Sequence, residues 1–204
     1  MILDLENKPL TDRFDHLVKV VSGKRFLAME GIGNEVPFFI CPFHPDETPA
    51  MYKAIDNLCI QVQHRGVNVE RINLYDLCVS LLKAEEGLWE TILEQETNHA
   101  REEWLEQFQL LFDAETHLAP AIYEQMLDKP YDVLFLEGVG EVFPYVRTHA
   151  LLENLAKYLS KRPLVMFFPG KYEQTLNSGA SLKLFDRLPS DKYYRALNIY
   201  RYEP

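Results

Sequence analysis

The chain has 204 residues, with 31 Asp and Glu against 21 Lys and Arg, a net charge of −10 and a pI of about 5.1. That length suits one large domain, which buries about 70% of its unfolded surface and holds without disulfide or metal staples. The acidic balance argues against a protein that binds nucleic acid alone, because lysine and arginine contacts to phosphate dominate that affinity. With 47% hydrophobic and 25% charged residues the composition is globular and excludes a disordered chain. Cys41, Cys59 and Cys78 are too few, and odd in number, for a secreted disulfide framework. The start, MILDLENKPL, carries Asp4 and Glu6 and no basic flank, so it does not read as a signal peptide. No apolar run approaches the roughly 18–20 residues of a membrane span. The expectation is a cytoplasmic protein.

In chain order, Phe14, Leu17, Val18 and Val21 recur at i, i+3, i+4 and i+7 and predict an amphipathic helix over 11–22, ended by Gly23. Residues 31–40 (GIGNEVPFFI) turn on their glycines into a short apolar run, 36–40, that reads as a buried strand with Pro37 near its start. Residues 41–47 (CPFHPDE) are expected to form a loop. Thr48-Pro49 supplies an N-cap hydroxyl and a proline at the first helical position, and Met51, Ile55, Leu58, Cys59 and Val62 make the stripe of the helix that follows. Val67, Val69 and Ile72 mark a second strand. Residues 74–83 are helical, with Leu74, Leu77, Cys78, Leu81 and Leu82 on one side.

Residues 88–112 read as one long helix or as two joined near Asn98. The stretch is apolar at its ends (Trp89, Ile92, Leu93; Trp104, Leu105, Phe108) and polar from 94 to 103. Residues 115–128 form another helix. YDVLFL (131–136) and PLVMFF (163–168) are nearly continuous apolar runs, as expected of strands buried on both faces. Leu151, Leu152, Leu155 and Leu159 give a helix between them. After a loop at 174–181, residues 182–188 are a short helix or strand, and 196–200 a last strand. Strand and helix in alternation predict one three-layer α/β domain with a mostly parallel sheet and a helical insertion at about 84–128.

Ligands of an open parallel sheet sit outside the carboxyl ends of its strands, which draws attention to the loop after 131–136. It holds Glu137, Gly138, Gly140 and Glu141, with Arg147 and His149 beyond; its plain reading is a turn into the next helix, with Glu141 near that helix's positive end. Gly138-x-Gly140 opens like a dinucleotide fingerprint, but Phe143 stands where the third glycine belongs. No GxxxxGK[ST] occurs, and Gly170-Lys171 lies between Pro169 and Tyr172, outside any phosphate-cradle pattern. There is no G-x-S-x-G elbow and no HExxH. Cys59 and Cys78 fall on apolar stripes and read as core. Cys41 and His44, a C-x-x-H pair, supply two ligands where a structural zinc needs four. No catalytic residue, metal or cofactor is assigned. The candidates for binding a ligand or partner are Asn34, Glu35, Gly138, Gly140, Glu141, Arg147, His149, Lys171 and Tyr172. Tyr193, Tyr194, Arg195, Tyr200, Arg201 and Tyr202 near the end suit an interface or ordinary packing.

Five segments in order, FLAMEGIGNEVPFFI (26–40), INLYDL (72–77), DVLFLEGVGEVFPYVRTHALLENL (132–155), PLVMFFPGKY (163–172) and SLKLFDRLPSDKYYRALNI (181–199), resemble the BrxB family of bacterial BREX phage-defence systems. The resemblance spans about 12–200 and is weakest over 84–128. It implies a component of a multiprotein system that methylates host DNA and blocks replication of unmethylated phage. Such proteins accompany PglZ, of the alkaline phosphatase superfamily, a BrxX/PglX-type methyltransferase and a large AAA+ ATPase. The family brings no catalytic residues to carry over. The expected role is a non-catalytic adaptor or regulatory subunit that docks PglZ and does not bind DNA alone. The alternative is a divergent nucleotide-binding or hydrolytic protein using Glu141, Arg147, His149 and the FFPGKY loop.

Overall fold

A computed structural model describes residues 5–32, 36–98, 100–175, 179–189 and 196–204. The first helix, α1 (Leu10–Val21), buries Leu17, Val18, Val20 and Val21 as its periodicity demands, and also Arg13. A short α2 (Lys24–Leu27) follows. The strand β1 (Phe38–Phe43) is longer than the sequence suggests: Cys41, Pro42 and Phe43 continue the ladder instead of starting a loop. All six of its residues are buried. Pro42 is tolerated because the neighbour on one side pairs only Phe39 and Ile40, so among the described residues Pro42 has a strand partner on one side alone.

Helix α3 (Thr48–Gln63) is entered through a 3-10 turn, Pro45–Glu47. His44 caps that turn, and Thr48, expected as the N-cap, is instead the first residue of α3, its hydroxyl donating to the Pro45 carbonyl at 2.6 Å. The Asp46 N–H donates to His44 Nδ1 and the Glu47 carboxylate accepts from the His44 N–H, both at 3.3 Å. Strand β2 (Val69–Asn73) runs straight into α4 (Leu74–Ala84), because the Asn73 side chain accepts from the N–H groups of Tyr75 (2.8 Å) and Asp76 (3.3 Å). The next segment is two helices, α5 (Leu88–Gln95) and α6 (Arg101–Leu111). The Asp113 side chain then caps a π-helical segment, Ala114–Leu118, that continues as α7 (Ala119–Met126).

After β3 (Val133–Glu137) and α8 (Thr148–Leu155), β4 (Leu164–Thr175) passes through Pro169-Gly170 without stopping. Its outer half has a second partner, β5 (Gly179–Leu184), antiparallel from Gly170↔Leu184 to Thr175↔Gly179. The loop expected at 174–181 is therefore largely a hairpin, of which 176–178 lie outside the described residues. Residues 182–184 are strand. Beyond them β6 (Leu188–Pro189) pairs β5, and β7 (Leu197–Asn198) gives way at once to a 3-10 turn, Ile199–Arg201.

The inner strands are all parallel, in the order β2-β3-β4-β1-β7. From β1 the chain steps three places in one direction to β2, then returns one place at a time to β3 and β4. Right-handed crossovers must then cover opposite faces. They do. Phe39, Cys41, Phe43, Val133, Phe135, Val165 and Phe167 pack with α1 and α3. Phe38, Ile40, Leu134, Leu136, Leu164, Met166 and Phe168 pack with α4, α7 and α8. The protein is thus mixed α/β, with a mostly parallel sheet between two helical layers.

Phe135, at the centre of β3, is fully buried and meets Phe167 edge-on at 5.1 Å between ring centroids. Phe135→Ala is expected to cost about 3–5 kcal/mol in urea unfolding followed by circular dichroism; a loss under about 1 kcal/mol would contradict this packing.

Candidate functional site

The carboxyl ends of the parallel strands carry two polar clusters. The first joins β2, β3 and α3. Along β3, Val133, Phe135 and Glu137 point to the α3 face, so the period of the strand drives Glu137 into the layer between sheet and helix. Glu137 is only 3% exposed. Arg71 of β2 meets it with two parallel bonds, Nε to Oε1 at 2.6 Å and Nη2 to Oε2 at 2.9 Å, and gives Nη1 to Asp56 of α3 at 2.7 Å. The hydrogen bonds it donates to Glu137 hold the Arg71 guanidinium above its ordinary pKa, against the opposing effect of burial. One turn before Asp56 on α3, Tyr52 donates its hydroxyl to the Glu141 carboxylate. Burial first, and that bond second, push the Tyr52 phenol above its usual range. Cys59, one turn on, is half-buried rather than core, and burial raises its thiol to about 11.

The turn after β3 is built by its glycines for packing. Gly138 has φ +75°, and a Cβ there would stand 2.5 Å from Asn73 Oδ1, the atom that caps α4. A Cβ on Gly140 would stand 2.8 Å from Pro169 and 3.0 Å from Phe185. Glu141 is exposed and several residues short of α8, so it takes the Tyr52 hydroxyl instead of resting at that helix's positive end. Arg147 is the exposed residue that leads into α8, and His149 is half-buried in its first turn.

The second cluster lies where the winding changes direction, at the ends of β1 and β4. A crevice of about 660 Å³ opens there between Pro42, His44, Lys171, Asp186, Arg201 and Glu6. Asp186 sits in the turn after β5; it and Phe185 both have left-handed backbone, at φ +60° and +53°. Its Oδ2 is 3.6 Å from Lys171 Nζ and 3.8 Å from His44 Nε2, while its Oδ1 is buried without a hydrogen-bond partner among the described residues. Tyr172 lines the crevice but is itself buried, its hydroxyl donating to the Ala196 carbonyl at 2.6 Å. Phe185 and Pro169, chain neighbours of the crevice residues Asp186 and Gly170, lie against Gly140 of the turn after β3. Asn34 and Glu35 lie outside the described residues, as do Tyr193, Tyr194 and Arg195.

Cys41 and His44 do not converge. Cys41 is fully buried against the Tyr200 hydroxyl at 3.2 Å, with its thiol pushed by burial to about 12, whereas His44 is more than half exposed. Among the described residues no three His, Cys, Asp or Glu side chains gather to hold a metal. The described helices are also too short or too polar to cross a membrane.

Sequence reasoning missed Arg71, Asp56, Tyr52 and Asp186. The one available signal was Glu137, an acid closing an otherwise apolar strand: a carboxylate there needs a cationic partner. Which cation answers it depends on the pairing of β2 with β3, which no local pattern announces.

Fold and site together define a doubly wound α/β protein whose charged groups at the strand ends pair with one another. The family described as BREX protein BrxB matches residues 70–199, and the chain belongs to that family. It is similar to a BREX protein BrxB of Bacillus cereus (strain H3081.97), 28% identical over 197 residues, which cover 93% of this chain and 97% of that protein. It is also similar to a BREX protein BrxB of Escherichia coli O9:H4 (strain HS), 26% identical over 187 residues, 92% of this chain and 90% of that protein. No solved structure matches it.

The Arg71–Glu137 pair makes a direct prediction. Arg71→Ala strands a buried carboxylate and is expected to cost about 2–3 kcal/mol, below the figure for a fully enclosed pair because Arg71 is a third open to water. Adding Glu137→Gln should recover at least half of that loss in the same urea titration. A cost below about 0.5 kcal/mol for Arg71→Ala would mean that the pair does not tie β2 to β3.

Proposed function

We propose that this BREX component acts as a non-catalytic adaptor or regulatory subunit, and that the protein it docks is a PglZ-type member of the alkaline phosphatase superfamily. The observation that carries the reading is the self-pairing of the polar groups at the sheet's carboxyl end. Arg71 is held by Glu137 and Asp56, and Glu141 by Tyr52, so the side chains best placed for chemistry already serve as each other's partners. The net charge of −10 supports a protein that works through other proteins, since it repels nucleic acid. Family membership supports work alongside other BREX proteins. Co-expressed with the PglZ-type protein of its own system, the chain is expected to co-elute with it after nuclease treatment. If both are folded and separate cleanly on size exclusion, the adaptor reading falls.

A second reading, a divergent nucleotide-binding site, draws on one observation: Asp186 Oδ1, without a partner among the described residues, in a crevice that also holds Lys171, His44 and Arg201. Under it, a nucleoside triphosphate at about 100 times its Kd raises the melting temperature by about 5–10 °C, and Lys171→Ala removes the rise. A flat thermal-shift screen over the common nucleotides, with and without Mg²⁺, ends this reading.

A further inference from the structure

The negative charge of the chain is concentrated. Residues 85–111 hold eight glutamates and one arginine, which leaves 23 acids and 20 bases for everything else. This stretch contains the α5–α6 pair, which is amphipathic without being covered. Of α5 only Ile92 is buried, and α6 buries no residue at all. Between them runs an apolar groove of about 710 Å³ lined by Trp89, Leu93, Trp104, Leu105 and Phe108. Trp104 and Phe108 stack at 5.4 Å between centroids on one wall, and Leu93 is 55% exposed at its lip. Glu96 and Glu102 line the groove, and Glu90, Glu94 and Glu106 are exposed on the same two helices. A groove of this apolar character is unusual on a surface with no partner, and tryptophan side chains are typical anchors of interfaces. Helix α6 has 11 residues, which sets a length of about 16 Å, or three turns, for whatever lies along it.

We propose that the α5–α6 groove docks a basic amphipathic helix of a partner protein. Apolar side chains at i, i+3, i+4 and i+7 enter between Trp89 and Trp104, and lysines or arginines flank them against the glutamate rim. Nucleic acid and acidic helices are repelled by the same rim. The inference rests on the docking-subunit reading and supplies its surface.

Both tryptophans of the chain line this groove, so intrinsic emission reports on its occupancy. The probes are two synthetic 14-residue amphipathic helices, one of leucine and lysine, the other identical with glutamate for lysine. The lysine peptide is expected to give a saturable blue shift, at least about tenfold weaker in 0.3 M salt than in 0.05 M, and the glutamate peptide none. Leu93→Lys should weaken binding at least about tenfold, while Glu153→Lys, an exposed change on α8, leaves it unaltered. Should Leu93→Lys lose helical circular dichroism, Glu96→Lys with Glu102→Lys replaces it. Equal response to both peptides, no response to either, or full binding by the groove variant overturns the inference. The PglZ association is read separately: peptide binding without PglZ co-elution removes the adaptor reading and spares the groove, and the converse spares the adaptor reading alone.

Discussion

Burying both faces of a parallel sheet is the constraint from which most of this structure follows. The inner strands place apolar side chains on alternate sides, and each side needs its own helical layer. Phe39, Phe135 and Phe167 belong to one layer, and Ile40, Leu136 and Met166 to the other. A polar side chain inside such a strand would lie in one of those layers without water. Charged groups are therefore pushed to the strand ends or to the edge strand β2, and Glu137, which falls inward at the end of β3, is met by Arg71 of that edge strand. The same constraint explains Arg13, 2% exposed on the buried side of α1, whose Nη2 bonds both oxygens of Glu47 at 2.6 and 2.7 Å. In each case an ion pair ties a helix or strand of the α3 layer to its neighbour, at the edge where packing alone gives out.

Much of the fold was legible because those strands are so apolar. VLFL and LVMFF permit no amphipathic helix, and the helices between them show clear 3.6-residue periodicity. Errors arose where a tertiary partner overrode a local signal. CPF reads as a loop because of its proline, yet it is strand because β4 pairs it. Pro169-Gly170 reads as a stop, yet β4 continues because β5 supplies a second ladder. Cys59 sits on the apolar stripe of α3 but is half-open, because Arg71 and Asp56 keep that end of the helix polar. The site was less legible than the fold. Gly138 and Gly140 announce a tight turn equally well whether a ligand or a side chain fills the space beside them. Asn73, Pro169 and Phe185 fill it, from three different elements, and that juxtaposition exists only once the sheet is assembled.

The distribution of charge matters more than its total. With eight glutamates drawn off to residues 85–111, the rest of the molecule is close to balanced, 23 acids to 20 bases. Self-repulsion falls largely on two helices of which only Ile92 is buried, in water where screening acts within about 8 Å at physiological ionic strength. The sheet is thus insulated from the electrostatic cost of an acidic surface. That arrangement suits a recognition element better than a solubility device. Charges that serve only solubility work best when spread and mixed in sign, whereas charges that select a partner work best beside the apolar contacts they guide. In this chain the glutamate-rich stretch and the tryptophan-lined groove coincide, on an excursion between β2 and β3 whose outer face the sheet leaves open.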